Sequence, residues 1–118
     1  MSYDISLCDP VSGDTLHAAS VHQMSGGTYC LGGTTALELN VTYNYSVHYR
    51  RIFGEKGIRT LYGKSGAESI ILLEAAIMQL SDDTNPYYWA PTEGNAKRSL
   101  KQLLAMAQMR PDGVWEGD

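Results

Sequence analysis

The sequence predicts an α+β fold, with N-terminal antiparallel β-hairpins followed by about three α-helices and a possible short C-terminal strand. Three observations predict it. The first forty residues read as short strand runs between turns rich in Gly, Pro and Asp, with apolar and polar side chains alternating in the first pair. Beyond residue 41 the apolar spacing lengthens to every third or fourth position. Two helix starts are then written in capping residues, Ser65-Gly-Ala-Glu68 and Pro91-Thr-Glu93. A length of 118 residues with 43% hydrophobic and 19% charged side chains suits a single domain, 1–118, that can bury a core. The same composition excludes an intrinsically disordered or fibrous chain.

Taken in order, Tyr3–Cys8 alternates, and Asp9-Pro-Val-Ser-Gly-Asp14 supplies the turn chemistry that leads into Thr15–Val21, which predicts a first hairpin. Gly27–Leu31 and Thr34–Asn40, separated by Gly32-Gly33, predict a second. Val41, Tyr45, His48 and Ile52 recur at helical spacing up to Gly54, a residue that adopts positive φ without penalty. The second helix follows the Ser65–Glu68 capping box and is apolar nearly all round from Ile70 to Leu80, which predicts a central position or a subunit contact. Ala96, Leu100, Leu103, Leu104 and Ala107 form one stripe of a third helix, stopped by Arg110-Pro111. Gly113–Asp118 ends the chain as a possible strand. There is no internal repeat.

Charge is distributed unevenly. Residues 1–49 hold four acids and no Lys or Arg, residues 50–64 hold five bases against Glu55, and residues 65–118 hold eight acids and four bases. A net charge of −4 argues against non-specific nucleic-acid binding, which needs many cations, yet the 50–64 band can form a local positive surface. No apolar run is long enough for a membrane span and the N-terminus lacks a secretory pattern, so a cytosolic protein without a membrane partner is expected.

Several common chemistries lack their residue patterns in this chain. Gly63-Lys64-Ser65 evokes a phosphate loop, but Ile58 stands where its first glycine belongs. Lys64 beside a helix start can still meet a phosphate through free amides and the helix dipole. His17, His22, His48, Cys8 and Cys30 lack metal-ligand spacing, so no metal and no cofactor is expected. The cysteines read as sheet or core residues without a disulfide, and Asp82-Asp83 as turn acids.

What remains is a set of aromatic and amide side chains beside the basic band. Asn40, Tyr43, Asn44, His48, Arg50, Arg51, Tyr62, Lys64, Trp89, Thr92 and Asn95 are the candidate ligand-binding residues, and none is assigned a catalytic role. Rings offer stacking faces, amides read base edges or ribose hydroxyls, and cations hold phosphates. Asn44, His48 and Arg51 fall on one helix face, and Gly94 in a helix's first turn suggests a close approach by ligand or partner. This reading requires the basic band and the aromatic segments to meet in one concave hollow.

The stretches Leu39–Tyr45, Gly54–Gly63, Tyr88-Trp-Ala-Pro-Thr-Glu-Gly-Asn-Ala96 and Arg110-Pro-Asp-Gly-Val-Trp-Glu-Gly-Asp118 together resemble a family of small uncharacterised phage and prophage proteins. By analogy the resemblance implies a homo-oligomeric counter-defence protein in the host cytoplasm, a sponge that sequesters a nucleotide second messenger of cyclic ADP-ribose or cyclic oligonucleotide type without cleaving it. Two alternatives stand beside it: an inhibitor that binds a host defence protein through an acidic surface, and a small nucleotide hydrolase.

Overall fold

Alternation along Ser2–Cys8 turns Tyr3, Ile5 and Leu7 inward and leaves Asp4 on the outside. In the computed structural model, which describes residues 1–28 and 30–118, this strand, β1, is the middle of a three-stranded antiparallel sheet. Glu38–Thr42 (β4) flanks it with Asp4 opposite Asn40, and Val114–Gly117 (β5) flanks it with Leu7 opposite Trp115. His17–His22 (β2) and Thr34–Ala36 (β3) form a separate two-stranded antiparallel sheet. Three α-helices follow, so the fold is α+β with a short last strand.

The strand pairing differs from the two expected hairpins. The Thr15–Val21 run stays with β1 only at its start, where Leu16 N–H donates to the Leu7 carbonyl at 2.8 Å, and then leaves to pair with β3. Leu37 is the corner. Fully buried, it donates to Leu16 O and accepts from Leu7 N, both at 2.9 Å, and the chain bends there from one sheet into the other. The Gly27–Leu31 run supplies no strand among the described residues, and its Tyr29 lies outside them. Instead Ser25–Gly27 runs beside β4, through Gly27 N to Asn40 O at 2.9 Å and Asn40 N to Ser25 O at 3.3 Å. Alternation specifies which face of a strand is buried and says nothing of its neighbour, which is why the expected partners were exchanged.

The first helix starts later than its apolar spacing suggests. Val41 is an inward residue of β4, and the Thr42 hydroxyl caps a 3₁₀ turn, Tyr43–Tyr45, before α1 runs Ser46–Phe53. Gly54 closes α1 at φ 99°, a value strained for any residue with a Cβ, and a second 3₁₀ turn covers Gly57–Leu61. Helix α2, Gly66–Met78, has the expected capping box, with Glu68 N to Ser65 Oγ and Ser65 N to Glu68 Oε1 both at 3.0 Å.

Helix α2 is not the central helix. It seats Leu73 and Ala76 against the core and leaves Ile71 76% and Met78 85% exposed. The centre belongs to α3, Glu93–Met109, whose Ala96, Leu100, Leu103, Met106 and Ala107 are fully buried. Pro111 ends it at Arg110, because the residue before proline is held out of the helical region. From β5 the buried Trp115 donates its indole N–H to Ser69 Oγ at 2.8 Å, and that hydroxyl donates to Gly66 O at 2.8 Å, tying the sheet to the first turn of α2. Among the described residues no helix is long and apolar enough to cross a membrane.

Candidate functional site

Arg50 leaves α1 on the side that meets the Gly57–Leu61 turn, and its stem packs over Gly57. Together with Glu55, Lys56 and Arg59 it walls a hollow of about 640 Å³, with the rings of Tyr3 and Tyr62 as the remaining lining. Three cations face one carboxylate there. The Arg59 guanidinium lies 4.9 Å from the Tyr3 ring centroid and 6.0 Å from that of Tyr43, a cation–π arrangement that fixes the guanidinium plane. Its Nε–H donates to the Asp118 main-chain oxygen at 2.9 Å, so its terminal nitrogens remain available. Arg50, Lys56 and Arg59 make no ion pair among the described residues. Tyr62 carries a hydroxyl that is buried without a hydrogen-bond partner among the described residues, close to Gly117. Burial, with a smaller push from the Asp118 carboxylate, raises its pKa to about 12, so the phenol is neutral in the physiological range.

Asn44, His48 and Arg51 face a different surface. Asn44 Nδ2 donates to Trp89 O at 2.8 Å, His48 Nε2 donates to Pro91 O at 2.8 Å, and Arg51 Nη2 stands 3.8 Å from Glu93 Oε2. These contacts clamp Trp89, Pro91 and Glu93, the end of the 81–92 loop and the start of α3, against α1 and the 3₁₀ turn before it. On the outside of that loop Tyr87 and Trp89, both about 60% exposed, pack with a tilt, 5.2 Å between centroids and planes 31° apart. Neither ring, nor Asn44, His48 or Arg51, lines the hollow beside Arg50. The candidate residues therefore do not meet in one concavity; they divide into two surfaces on either side of α1.

Other candidates have structural occupations. Asn95 is 1% exposed and holds the loop from within, donating to Tyr87 O at 2.9 Å and Ala90 O at 3.2 Å and accepting from Asn85 N at 3.1 Å. Thr92 Oγ1 caps α3 by accepting from Asn95 N at 3.2 Å. Asn40 Nδ2 donates to Ser2 Oγ and Asp4 Oδ1, while the Asn40 carbonyl accepts from the Tyr88 hydroxyl at 2.7 Å. Tyr43 packs edge-on against Tyr3 at 4.4 Å and supports the floor of the hollow from behind. The close approach at Gly94 is internal: a Cβ there would lie 2.6 Å from the Asp83 carbonyl, to which Gly94 N–H donates at 2.9 Å.

The backbone amides expected to support a phosphate beside Lys64 are already engaged. Gly66 N and Ala67 N donate to Gly113 O and Pro111 O at 2.7 and 3.0 Å, and Glu68 N donates to Ser65 Oγ, so the first turn of α2 has no free donors for an anion. Cys8 and Cys30 are both free thiols, and burial, aided by Glu116, pushes the Cys8 thiol up to about 11. Asp82 is paired with Lys97 at 2.8 Å on the surface, which holds its carboxyl below the usual range.

Sequence reasoning missed four members of the hollow: Tyr3, Glu55, Lys56 and Arg59. Lys56 and Arg59 were visible as members of the basic band; Tyr3 carried no signal, because its strand reaches α1 only through the tertiary fold. No family model, curated protein or solved structure matches this chain.

Proposed function

We propose that the chain binds a phosphorylated, nucleotide-type ligand non-covalently in the hollow between α1 and the Gly57–Leu61 turn. The observation that carries this is the convergence of Arg50, Lys56 and Arg59, none of them ion-paired among the described residues, over a tyrosine floor. Guanidinium groups take phosphate oxygens in pairs, and the half-buried Tyr62 ring offers an edge for a base or ribose, while Tyr3 lies buried beneath Arg59 and orients it. With the resemblance to small phage proteins, the fuller reading is a counter-defence sponge that sequesters a host nucleotide signal, acting as a homo-oligomer in the host cytoplasm. Exposed Ile71 and Met78 on α2 support the oligomer, since apolar side chains of this size on one helix face favour a partner. Calorimetry of the purified chain with AMP tests the binding step: measurable, salt-sensitive affinity is expected, and its absence would remove the reading. Heating the protein recovered from infected, defence-expressing cells and identifying what is released by mass spectrometry tests the sequestration step; no intact signalling nucleotide released would end it.

A second reading, inhibition of a host protein through an acidic surface, is favoured by one observation. The outer face of the three-stranded sheet sets Glu38 and Glu116 on either side of Ser6, with Asp4 one pair along. A cavity of about 200 Å³ there includes Asp4, Ser6 and Glu38 in its lining and no Lys or Arg. Pull-down with Glu38→Lys and Glu116→Lys separates the readings, because these changes abolish capture of a basic protein partner and leave nucleotide binding intact.

A further inference from the structure

The hollow and the Tyr87–Trp89 pair are two different kinds of surface, and α1 is what separates them. The ridge of α1 between them is solvent-facing and carries Val47, Arg50 and Arg51, with no acidic side chain on the helix. On one side of that ridge lie cations for phosphates. On the other lies an exposed indole packed at a tilt against an exposed tyrosine.

The loop that carries these two exposed rings is held by its main chain. Asn95 Nδ2 holds the carbonyls on both sides of the loop tip, Asn44 Nδ2 holds Trp89 O itself, and the Tyr45 hydroxyl donates to Tyr88 O. The Tyr88 hydroxyl accepts from Thr42 N at 3.1 Å and donates to Asn40 O, anchoring the same loop to β4. A loop whose main chain is held at this many points is pre-organised, so a ligand that stacks on its rings loses little of its binding free energy to ordering the loop.

We propose that the ligand crosses α1, with phosphates in the hollow and a further base stacked on Trp89, and is therefore an oligonucleotide, linear or cyclic, rather than a mononucleotide. The inference rests on the nucleotide reading above and names the class of nucleotide. Two features select this class. A helix with its side chains is about 10–12 Å across, and a stacked strand advances about 3.4 Å per nucleotide, so about three nucleotides reach from one side to the other. Alternating planar bases and anionic linkages also match an aromatic platform followed by cations, the pattern by which single strands are held without base-specific contacts.

The protein contains its own reporter. Of its two tryptophans, Trp115 is fully buried and hydrogen-bonded to Ser69 while Trp89 is 59% exposed, so quenching of tryptophan emission by a ligand reads Trp89. The experiment titrates the full chain with AMP and with oligoadenylates of two, three and four residues. Affinity is expected to rise about tenfold between the one- and three-residue probes, with emission quenched only by the longer ones. Trp89→Ala removes both the gain and the quench and leaves AMP affinity unchanged; Trp89→Phe, which keeps a stacking face, retains most of the gain. AMP binding with no gain on lengthening, or a gain that survives Trp89→Ala, overturns the bridging proposal while leaving the hollow as a nucleotide site. If no probe binds, both fall.

Discussion

Arg50 and Arg51 are neighbours in the chain and members of different surfaces. Arg50 lines the hollow with Lys56 and Arg59, whereas Arg51 turns to Glu93 on the far side of α1, 3.8 Å away. Successive helix residues are about 100° apart around the axis, so a pair of arginines at the edge of a packed helix is split between its two flanks. Functional consequences follow from that split.

Charge reversal should distinguish the two arginines. Arg50→Glu is expected to weaken AMP binding by about tenfold or more, the worth of a charge-assisted hydrogen bond, and Arg59→Glu to do the same. Arg51→Glu should change AMP affinity far less. Titration calorimetry at low and moderate salt checks this, and the wild-type affinity should fall as salt rises because exposed cations are screened.

Asn95 holds the 85–92 loop and is buried, so it is sensitive to truncation. Asn95→Ala leaves two carbonyls and one amide without their partner and should cost about 2–4 kcal/mol, measured by urea unfolding. The same variant should render the loop cleavable by protease at concentrations that spare the wild type, because those bonds are what restrain the Tyr87–Trp89 tip.

Tyr62 offers a change in the opposite direction. Its hydroxyl is buried with no partner among the described residues, so Tyr62→Phe removes an unsatisfied group and keeps the ring. The variant should be more stable by about 1 kcal/mol. A loss of stability would mean that the hydroxyl is satisfied in solution.

Alkaline pH should unfold the protein through its tyrosines. Burial raises the pKa of Tyr45, Tyr49, Tyr62 and Tyr88 above the ordinary value of 10.0, for Tyr62 to about 12. The folded state thus holds these protons more tightly than the unfolded chain does. The resulting stability is complete below pH 10 and is lost as the pH rises through 10 towards 12 and beyond. Tyrosinate absorbance followed together with circular dichroism should show the buried phenols ionising only as the fold is lost.

Much of this architecture was legible residue by residue. The Ser65–Glu68 capping box, the Thr92 cap, the Arg110-Pro111 stop and the alternation of Tyr3, Ile5 and Leu7 are local signals, complete within a few positions of the chain. The candidate site was legible only in part. Arg50 was identified, but Asn95, Thr92 and Asn40 carry the polar chemistry of a binding residue and spend it on the chain's own loops and caps. An amide that reads a base edge and an amide that reads a backbone carbonyl are the same side chain until its surroundings are known.

By itself the sequence determined the fold class, the start of α2 and both ends of α3, the inward face of β1 and the existence of a basic band, because each depends on near neighbours or on composition. Only the tertiary structure decided which strands pair, that α3 rather than α2 occupies the centre, and that the cations and the exposed rings stand on opposite flanks of α1. Those outcomes depend on contacts between residues far apart in the chain, such as Leu37 with Leu7 and Tyr88 with Asn40. Periodicity tells a side chain whether to face inward, and close packing of the whole chain decides what it meets there.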